Sequence, residues 1–434
     1  MDIEIGQLID SRPLSGLQIR VVILCALVLL LDGYDIQTMG LAVPAIAAAW
    51  HLAPSNFWLV QSAALIGMGF GAAFLAPLGD RFGRRPVVIG FVAVVGVASL
   101  ITASSASLSG FVIWRILTGL GLGASIANAT ALTSEFMPAR LHTRLVTLMF
   151  CNVALGAFAA GFTAPALIAA FGWRSLFVVG GAVPLVLAGG LTLALPESIR
   201  FLTLHRAGHA ALVPILARIA PNVDAGTVVA AARDRSARRS VLELLSSKLR
   251  ARTLLLWCLF CLNLGVVYFL LSWLPSLLGS AGWSRAEALR GAALFQLGGV
   301  AGGLTAAWLA DRGAMVRGLV GAYVLAAAAL LAFLAAPHEL GLWFGLIFLL
   351  GGGISGAQLT LYALAAYFYP AAIRATGLGW TATVSRIGTV GGTMAGGWLL
   401  ALGLTPAGIL GLLIVPTLIC AVVVLGLPRA VRPA

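Results

Sequence analysis

Ala76-Pro77-Leu78-Gly79-Asp80-Arg81-Phe82-Gly83-Arg84-Arg85 is a charged turn set between two apolar runs. A second Asp-Arg step, Asp311-Arg312, stands 231 positions further on, again after an apolar run. Pro138 and Pro370 are 232 positions apart, and so are Gly156 and Gly388. One offset relating three separate places predicts a duplicated architecture: two similar halves about a pseudo-twofold axis along a membrane normal. That arrangement places a binding site between the halves, near the middle of the bilayer.

Composition agrees with a membrane chain. Of 434 residues, 61% are hydrophobic and 9% charged, against about a quarter charged in soluble domains. A soluble enzyme, a disordered chain and a disulfide scaffold are excluded on that ground. The apolar runs predict twelve helices, near 21–44, 57–79, 86–104, 110–133, 145–169, 175–195, 253–276, 290–310, 317–336, 341–368, 376–402 and 407–427. The fold class expected is therefore all-α and integral to the membrane, with twelve transmembrane helices in two pseudo-symmetric six-helix bundles. Residues 1–195 form the first bundle, 253–434 the second, and the polar segment 196–252 a partly helical tether between them.

The net charge of +13 reports topology. Arg174, Arg285 and Arg290 fall in the connections after the fifth and seventh helices, and Arg115 and Arg386 fall inside predicted helices. All other Lys and Arg lie in the connections after the even-numbered helices or in the tails. This asymmetry is the positive-inside pattern, and it predicts that both termini are cytoplasmic. With Lys248 the one lysine and no interleaving of basic and aromatic residues, no nucleic-acid surface is expected. No cleavable leader is expected either, because the first apolar run leads into further spans without a small-residue cleavage site.

Several familiar motifs are bland in this setting. Cys258 and Cys261 are i,i+3 neighbours inside an apolar helix, so a metal or redox role is not expected there. His205 and His209 could chelate, but the linker offers no third ligand. Gly119-Leu120-Gly121-Leu122-Gly123 and Gly351-Gly352-Gly353 suit close helix packing, not a phosphate cradle. No Walker lysine is present, so ATP is not the expected energy source. No cofactor and no metal are expected.

The chemistry is expected in the few ionised groups at membrane depth, where a charge persists only if it is paired or faces a watery cavity. Asp32 and Asp35 are i,i+3 in the first helix and share a face. Their repulsion and burial raise the proton affinity of one of them, which makes the pair a candidate for proton coupling. Arg115 and Arg386 are the basic residues well inside predicted spans. Their mates at the repeat offset are Ile347 and Ala154, so neither is a feature of the scaffold. Guanidinium stays charged and forks onto a carboxylate, so both are candidates for binding an anionic substrate. Two Asp and two Arg balance; protonating one Asp leaves one positive charge for a monocarboxylate to neutralise. Asn263, the mate of Asp32, cannot titrate and is expected to face the same cavity. Tyr34, Tyr268, Trp273, Tyr362 and Trp380 could wall an aromatic ring. A ring hydroxyl could be met by Gln37, Gln61, Asn128, Asn152, Gln296, Gln358 or Ser385, and periodicity does not choose among them.

The turn that opens this section resembles the signature loop of the major facilitator superfamily, G-x-L-A-D-R-x-G-R-R/K, with Ala76 in place of the first glycine and Gly79 before the aspartate. Asp32-Gly33-Tyr34-Asp35 narrows the resemblance to the aromatic acid/proton symporter family, the 4-hydroxybenzoate and benzoate transporters. Arg115-Ile116-Leu117-Thr118-Gly119, Ser134-Glu135-Phe136-Met137-Pro138, Gly172-Trp173-Arg174, Pro196-Glu197-Ser198, Ser272-Trp273-Leu274-Pro275 and Arg374-Ala375-Thr376-Gly377 extend it over most of the chain. The resemblance implies a proton-coupled symporter, not an enzyme, which imports an aromatic carboxylate as a monomer in the inner membrane. It also implies gating contacts at Asp80, Arg81, Arg84, Arg85, Glu135, Arg140, Asp311, Arg312 and Arg374. A same-fold symporter for a non-aromatic acid such as muconate, or for another small solute, is the alternative.

Overall fold

The computed structural model describes residues 3–4, 9–10, 12–204, 209–219, 228–229, 244–246, 249–335, 337, 339–369 and 373–427. In hydrocarbon every backbone polar group needs a partner within the protein, which favours helix wherever the sequence stays apolar. The long helices are α1 (Gly16–Trp50), α2 (Trp58–Phe70), α3 (Arg84–Ser104), α4 (Leu108–Phe136), α5 (Ala139–Phe171), α6 (Arg174–Ala194), α7 (Arg250–Ser280), α8 (Arg285–Asp311), α9 (Met315–Ala335), α10 (Leu340–Phe368) and α11 (Arg374–Ala401). The last, α12, has two pieces, Pro406–Leu412 and Ile414–Gly426. Beyond α2 the chain passes through a π turn at Gly71–Leu75 and a short helix at Leu78–Phe82.

The architecture is all-α, as the apolar runs predict. Eleven segments among the described residues are long and apolar enough to cross a membrane. The remaining one, α11, matches them in length but carries Arg386 and a run of glycines and threonines. The helices overrun the apolar windows. At 1.5 Å per residue the 35 residues of α1 span about 52 Å, well beyond the roughly 30 Å of hydrocarbon. Helical hydrogen bonding continues into the polar flanks, where apolarity no longer marks it. Pro44, Pro165, Pro184 and Pro275 stand inside helices, as neighbouring helices and side chains in membrane bundles allow. Within 196–252 the described residues include helices Ile199–Leu204 and His209–Ile219. Val228–Val229 (β2) pairs in parallel with Ile3–Glu4 (β1).

By contact the chain forms two units. One comprises Met1–Asp35, Ile66–Gly156 and Arg174–Arg233; the other comprises Ile36–Leu65, Ala157–Trp173 and Asp234–Ala434. The first is built on a core that includes Val28, Leu29, Val92, Leu132 and Phe136. The second holds one core around Phe269, Trp273, Phe295, Leu330 and Ile347, and another around Phe260, Tyr323, Leu361 and Tyr369.

Inside each unit, helices meet through the same glycine contacts. In the first, Gly67 lies against the Ile116 carbonyl, Gly71 against that of Leu120 and Gly156 against that of Leu30. In the second, Gly298 lies against the Phe348 carbonyl, Gly302 against that of Gly352 and Gly388 against that of Cys261. Each glycine and each carbonyl of the second set sits 231 or 232 positions after its counterpart. The offset read from the sequence is thus an offset between backbone contacts. At each of these contacts a Cβ would collide with main chain, which is how small residues let membrane helices pack closely.

Candidate functional site

Asp35 and Arg115 form the most deeply buried ion pair among the described residues. Arg115 Nη1 donates to Asp35 Oδ1 at 2.6 Å and Nη2 to Oδ2 at 2.9 Å. Nη2 also lies 3.4 Å from the Asp35 carbonyl. Asp35 is 3% and Arg115 1% exposed, so the two-pronged fork operates away from water, where such a bond is strongest. The stretch of α1 that carries Asp35 is held by backbone contact with α5: Gly33 lies against Val153, and Leu30 against Gly156. A side chain at Gly33 would displace that segment, so the glycine inside Asp32-Gly33-Tyr34-Asp35 sets where the acids stand. Asp32 is buried one turn earlier, at 6% exposure. Removing one partner of a buried pair costs about 3–5 kcal/mol, because the other charge is stranded.

The remaining predicted residues take several settings. The Tyr34 hydroxyl donates to the Leu176 carbonyl at 3.2 Å, and its ring packs beside Gly180 on α6. Asn263 is 1% exposed and fully engaged. Its Nδ2 donates to Gln358 Oε1 at 2.5 Å, and its Oδ1 accepts from the Tyr323 hydroxyl at 2.9 Å. Trp273 is fully buried, and its indole N–H donates to the Thr393 carbonyl at 2.7 Å. Tyr268 and Arg386 are half-buried. Tyr362 packs edge-on against Phe260, and Trp380 lies beside Trp257; both Tyr362 and Trp380 are exposed.

Three of the predicted gating residues, Asp80, Arg84 and Glu135, come together in a second cluster. Arg84 pairs with Glu135 at 2.7 Å and, less closely, with Asp80 at 3.5 Å. Glu135 Oε2 accepts from the Ser198 hydroxyl at 2.5 Å. Glu197 Oε1 accepts from the backbone N–H groups of Arg84, Arg85 and Ser198 at 2.8, 3.1 and 2.8 Å. Arg85 Nη2 donates to the Thr192 carbonyl. Glu197 therefore supplies one acceptor oxygen, Oε1, to the first turn of α3, where helix N–H groups lack partners. Between Phe82 and α3 the backbone takes the left-handed region at Gly83, φ 98°, which a glycine adopts without strain. Asn128 Nδ2 donates to the Ala76 carbonyl at 3.0 Å and the Ala124 carbonyl at 2.9 Å, tying this turn to α4.

Glu197, Ser198 and Asn128 were not among the gating residues expected from sequence. The signal for the first two was present in Pro196-Glu197-Ser198; their proximity to Arg84 was not. Arg81 lies over the Phe82 ring at 5.2 Å and Arg312 over Trp308 at 3.8 Å. The side chains of Arg140, Asp311 and Arg374, together with His205, lie outside the described residues. Among the described residues no group of His, Cys, Asp and Glu could hold a metal ion.

Residues 25–393 match the family model described as Major Facilitator Superfamily. The chain belongs to the Major Facilitator Superfamily. Within it, the chain is 40% identical to the 4-hydroxybenzoate transporter PcaK of Pseudomonas putida, over 97% of this chain and 94% of that one. It is 34% identical to a gallate transporter of the same species, over 93% of this chain and 90% of that one. A benzoate transport protein of Acinetobacter baylyi is 31% identical over 93% and 88%. The solved D-xylose-proton symporter superposes with a TM-score of 0.69 at 18% identity, covering 95% of this chain and 97% of that one. That likeness shows the fold alone; the family match and the curated relatives show a multi-pass membrane transporter.

Proposed function

We propose that the protein is a proton-coupled symporter which imports an aromatic carboxylate by alternating access across the bacterial inner membrane. Relatives named for 4-hydroxybenzoate, gallate and benzoate support the substrate class. The observation that carries the coupling is the buried Asp35–Arg115 fork. With Asp35 ionised the pair is neutral and Arg115 is occupied. A proton taken up by Asp35 dissolves the fork and leaves one cation in a place that does not tolerate it. The cargo carboxylate then replaces Asp35 as the partner of that cation. Proton and acid load together because either alone leaves an uncompensated charge. Asp32 shares the proton chemistry, and Arg386 is a second carboxylate partner. Tyr34, Asn263, Tyr268, Trp273, Tyr362 and Trp380 shape the path of the ring, directly or through their packing.

In this reading the protein acts as a monomer with both termini cytoplasmic. Residues 1–195 and 253–434 are the two moving bundles, with 196–252 as tether. The cluster of Asp80, Arg81, Arg84, Arg85 and Glu135, with Arg140, Asp311, Arg312 and Arg374, latches one state and parts in the other. The test is uptake of labelled benzoate, 4-hydroxybenzoate and muconate into proteoliposomes under an imposed inward proton gradient. Uphill accumulation of the aromatic acids, collapsed by a protonophore, is expected. Accumulation of muconate alone would transfer the reading to non-aromatic acids, and accumulation indifferent to the gradient would remove the proton.

A further inference from the structure

Of the seven polar residues that could meet a ring hydroxyl, four are engaged with the protein itself. Asn128 donates to the Ala76 and Ala124 carbonyls, Asn152 to that of Leu148 and Ser385 to that of Ala382. Gln358 Oε1 accepts from Asn263, while its Nε2 has no partner among the described residues. Gln37 and Gln61 differ. They are 1% and 5% exposed, and neither the Oε1 nor the Nε2 of either has a hydrogen-bond partner among the described residues. Gln296 is 4% exposed, and its Oε1 has no partner among the described residues.

An orphaned buried amide costs about 1–3 kcal/mol, and leucine in the same apolar helix would avoid that cost. Buried polar groups in native proteins almost always have partners, so an exception points to a partner supplied from outside the chain. Both glutamines also sit on firmly seated segments. Gln37 is three residues from Gly40, where an added Cβ would lie 2.6 Å from the Leu271 carbonyl and 2.9 Å from that of Ser272. Gln61 is three residues from Trp58, whose Cβ blocks any side chain at Gly397; Gly397 in turn lies against the Trp273 ring. Residues 51–57 join α1 and α2 by a short turn, so the two helices run antiparallel. A step of three residues before Gly40 and a step of three after Trp58 therefore point the same way along the bundle. Helix–helix contact thus sets the two glutamine-bearing segments on the same side of these contacts, and neither amide has a partner among the described residues.

A primary amide is uncharged and both donates and accepts. It suits a phenolic hydroxyl, which does the same, better than a carboxylate, which wants a cation. We propose that Gln37 and Gln61 are the groups that read a hydroxyl substituent on the ring of the carried acid. The inference rests on the aromatic-acid reading above and adds to it the basis for distinguishing hydroxylated rings from bare ones. A site built around a hydroxyl rejects the analogue that lacks one, because the site's own polar groups are then left unpaired.

The experiment compares Gln37→Met and Gln61→Met with the unmodified protein, in proteoliposomes, for benzoate and 4-hydroxybenzoate. The expected result is a change of about tenfold or more in the ratio of the two KM values. If a variant no longer turns over, the same ratio is read from equilibrium binding to the purified protein. A ratio unchanged in both variants, with uptake or binding of both acids intact, overturns this inference alone. Failure of the unmodified protein to take up or bind any aromatic acid overturns the functional reading and this one with it.

Discussion

At the scale of single residues, the decisive feature is a carboxylate and a guanidinium that neutralise each other where water does not reach. Asp35→Asn is expected to abolish gradient-driven accumulation, while counterflow of preloaded acid persists, since exchange needs no net proton movement. Accumulation at the normal level in that variant would refute the coupling role of Asp35. Arg115→Lys keeps the charge but not the fork: an ammonium cannot present two parallel N–H groups to both oxygens of Asp35. Uptake at a subsaturating acid concentration should fall by about tenfold or more in Arg115→Lys, as read by initial rates. Much of this was legible from Asp32, Asp35 and Arg115 alone, because a charge at membrane depth announces itself. Which acid took Arg115 was not legible. That choice depends on how α1 and α4 are rotated toward each other, and spacing along one helix carries no information on it.

At the scale of elements, the start of α3 depends on an acid that lies far along the chain. Glu197 accepts from three backbone N–H groups, two of them in the first turn of α3. Glu197→Ala is expected to destabilise the purified protein by about 0.5–2 kcal/mol, the range of a lost helix cap, measured as a lower melting temperature in detergent. Glu197→Gln keeps one acceptor oxygen and should recover part of that loss. The charged turn before α3 was identified by its spacing of Asp80, Arg84 and Arg85. The capping acid was missed because nothing local ties residue 197 to residue 84. Packing of glycine on backbone is equally specific. Gly298→Val places a side chain against the Phe348 carbonyl, whereas Gly321 has open space around it. The first substitution should lower the yield of folded protein sharply, and Gly321→Val should leave it near normal in size-exclusion profiles.

At the scale of the whole molecule, topology is the testable quantity. The charge distribution predicts that the linker 196–252 and the loop 281–284 lie on opposite faces of the membrane. With the five native cysteines replaced, a single cysteine at Gly282 should react with a membrane-impermeant maleimide in intact cells. A single cysteine at Ala225 should react only after permeabilisation. The reverse pattern would invert the topology and make the gating cluster extracellular.

What the chain dictates by itself is its medium and its duplication. Apolar runs about as long as a bilayer is thick force helices, because a single segment satisfies its own backbone in hydrocarbon only as a helix. A repeat of 231 or 232 positions from Gly67, Gly71 and Gly156 to Gly298, Gly302 and Gly388 forces the same contacts twice. Partnership was decided only by the tertiary structure. It set Arg115 on Asp35, engaged Asn263 with Tyr323 and Gln358, placed Glu197 at the foot of α3, and left the amides of Gln37 and Gln61 without partners among the described residues. The reason is geometric. Hydrophobicity and helical period are properties of one segment, but a hydrogen bond between segments needs both helices rotated and set in depth to within a fraction of an ångström, and that is fixed only when their surfaces pack.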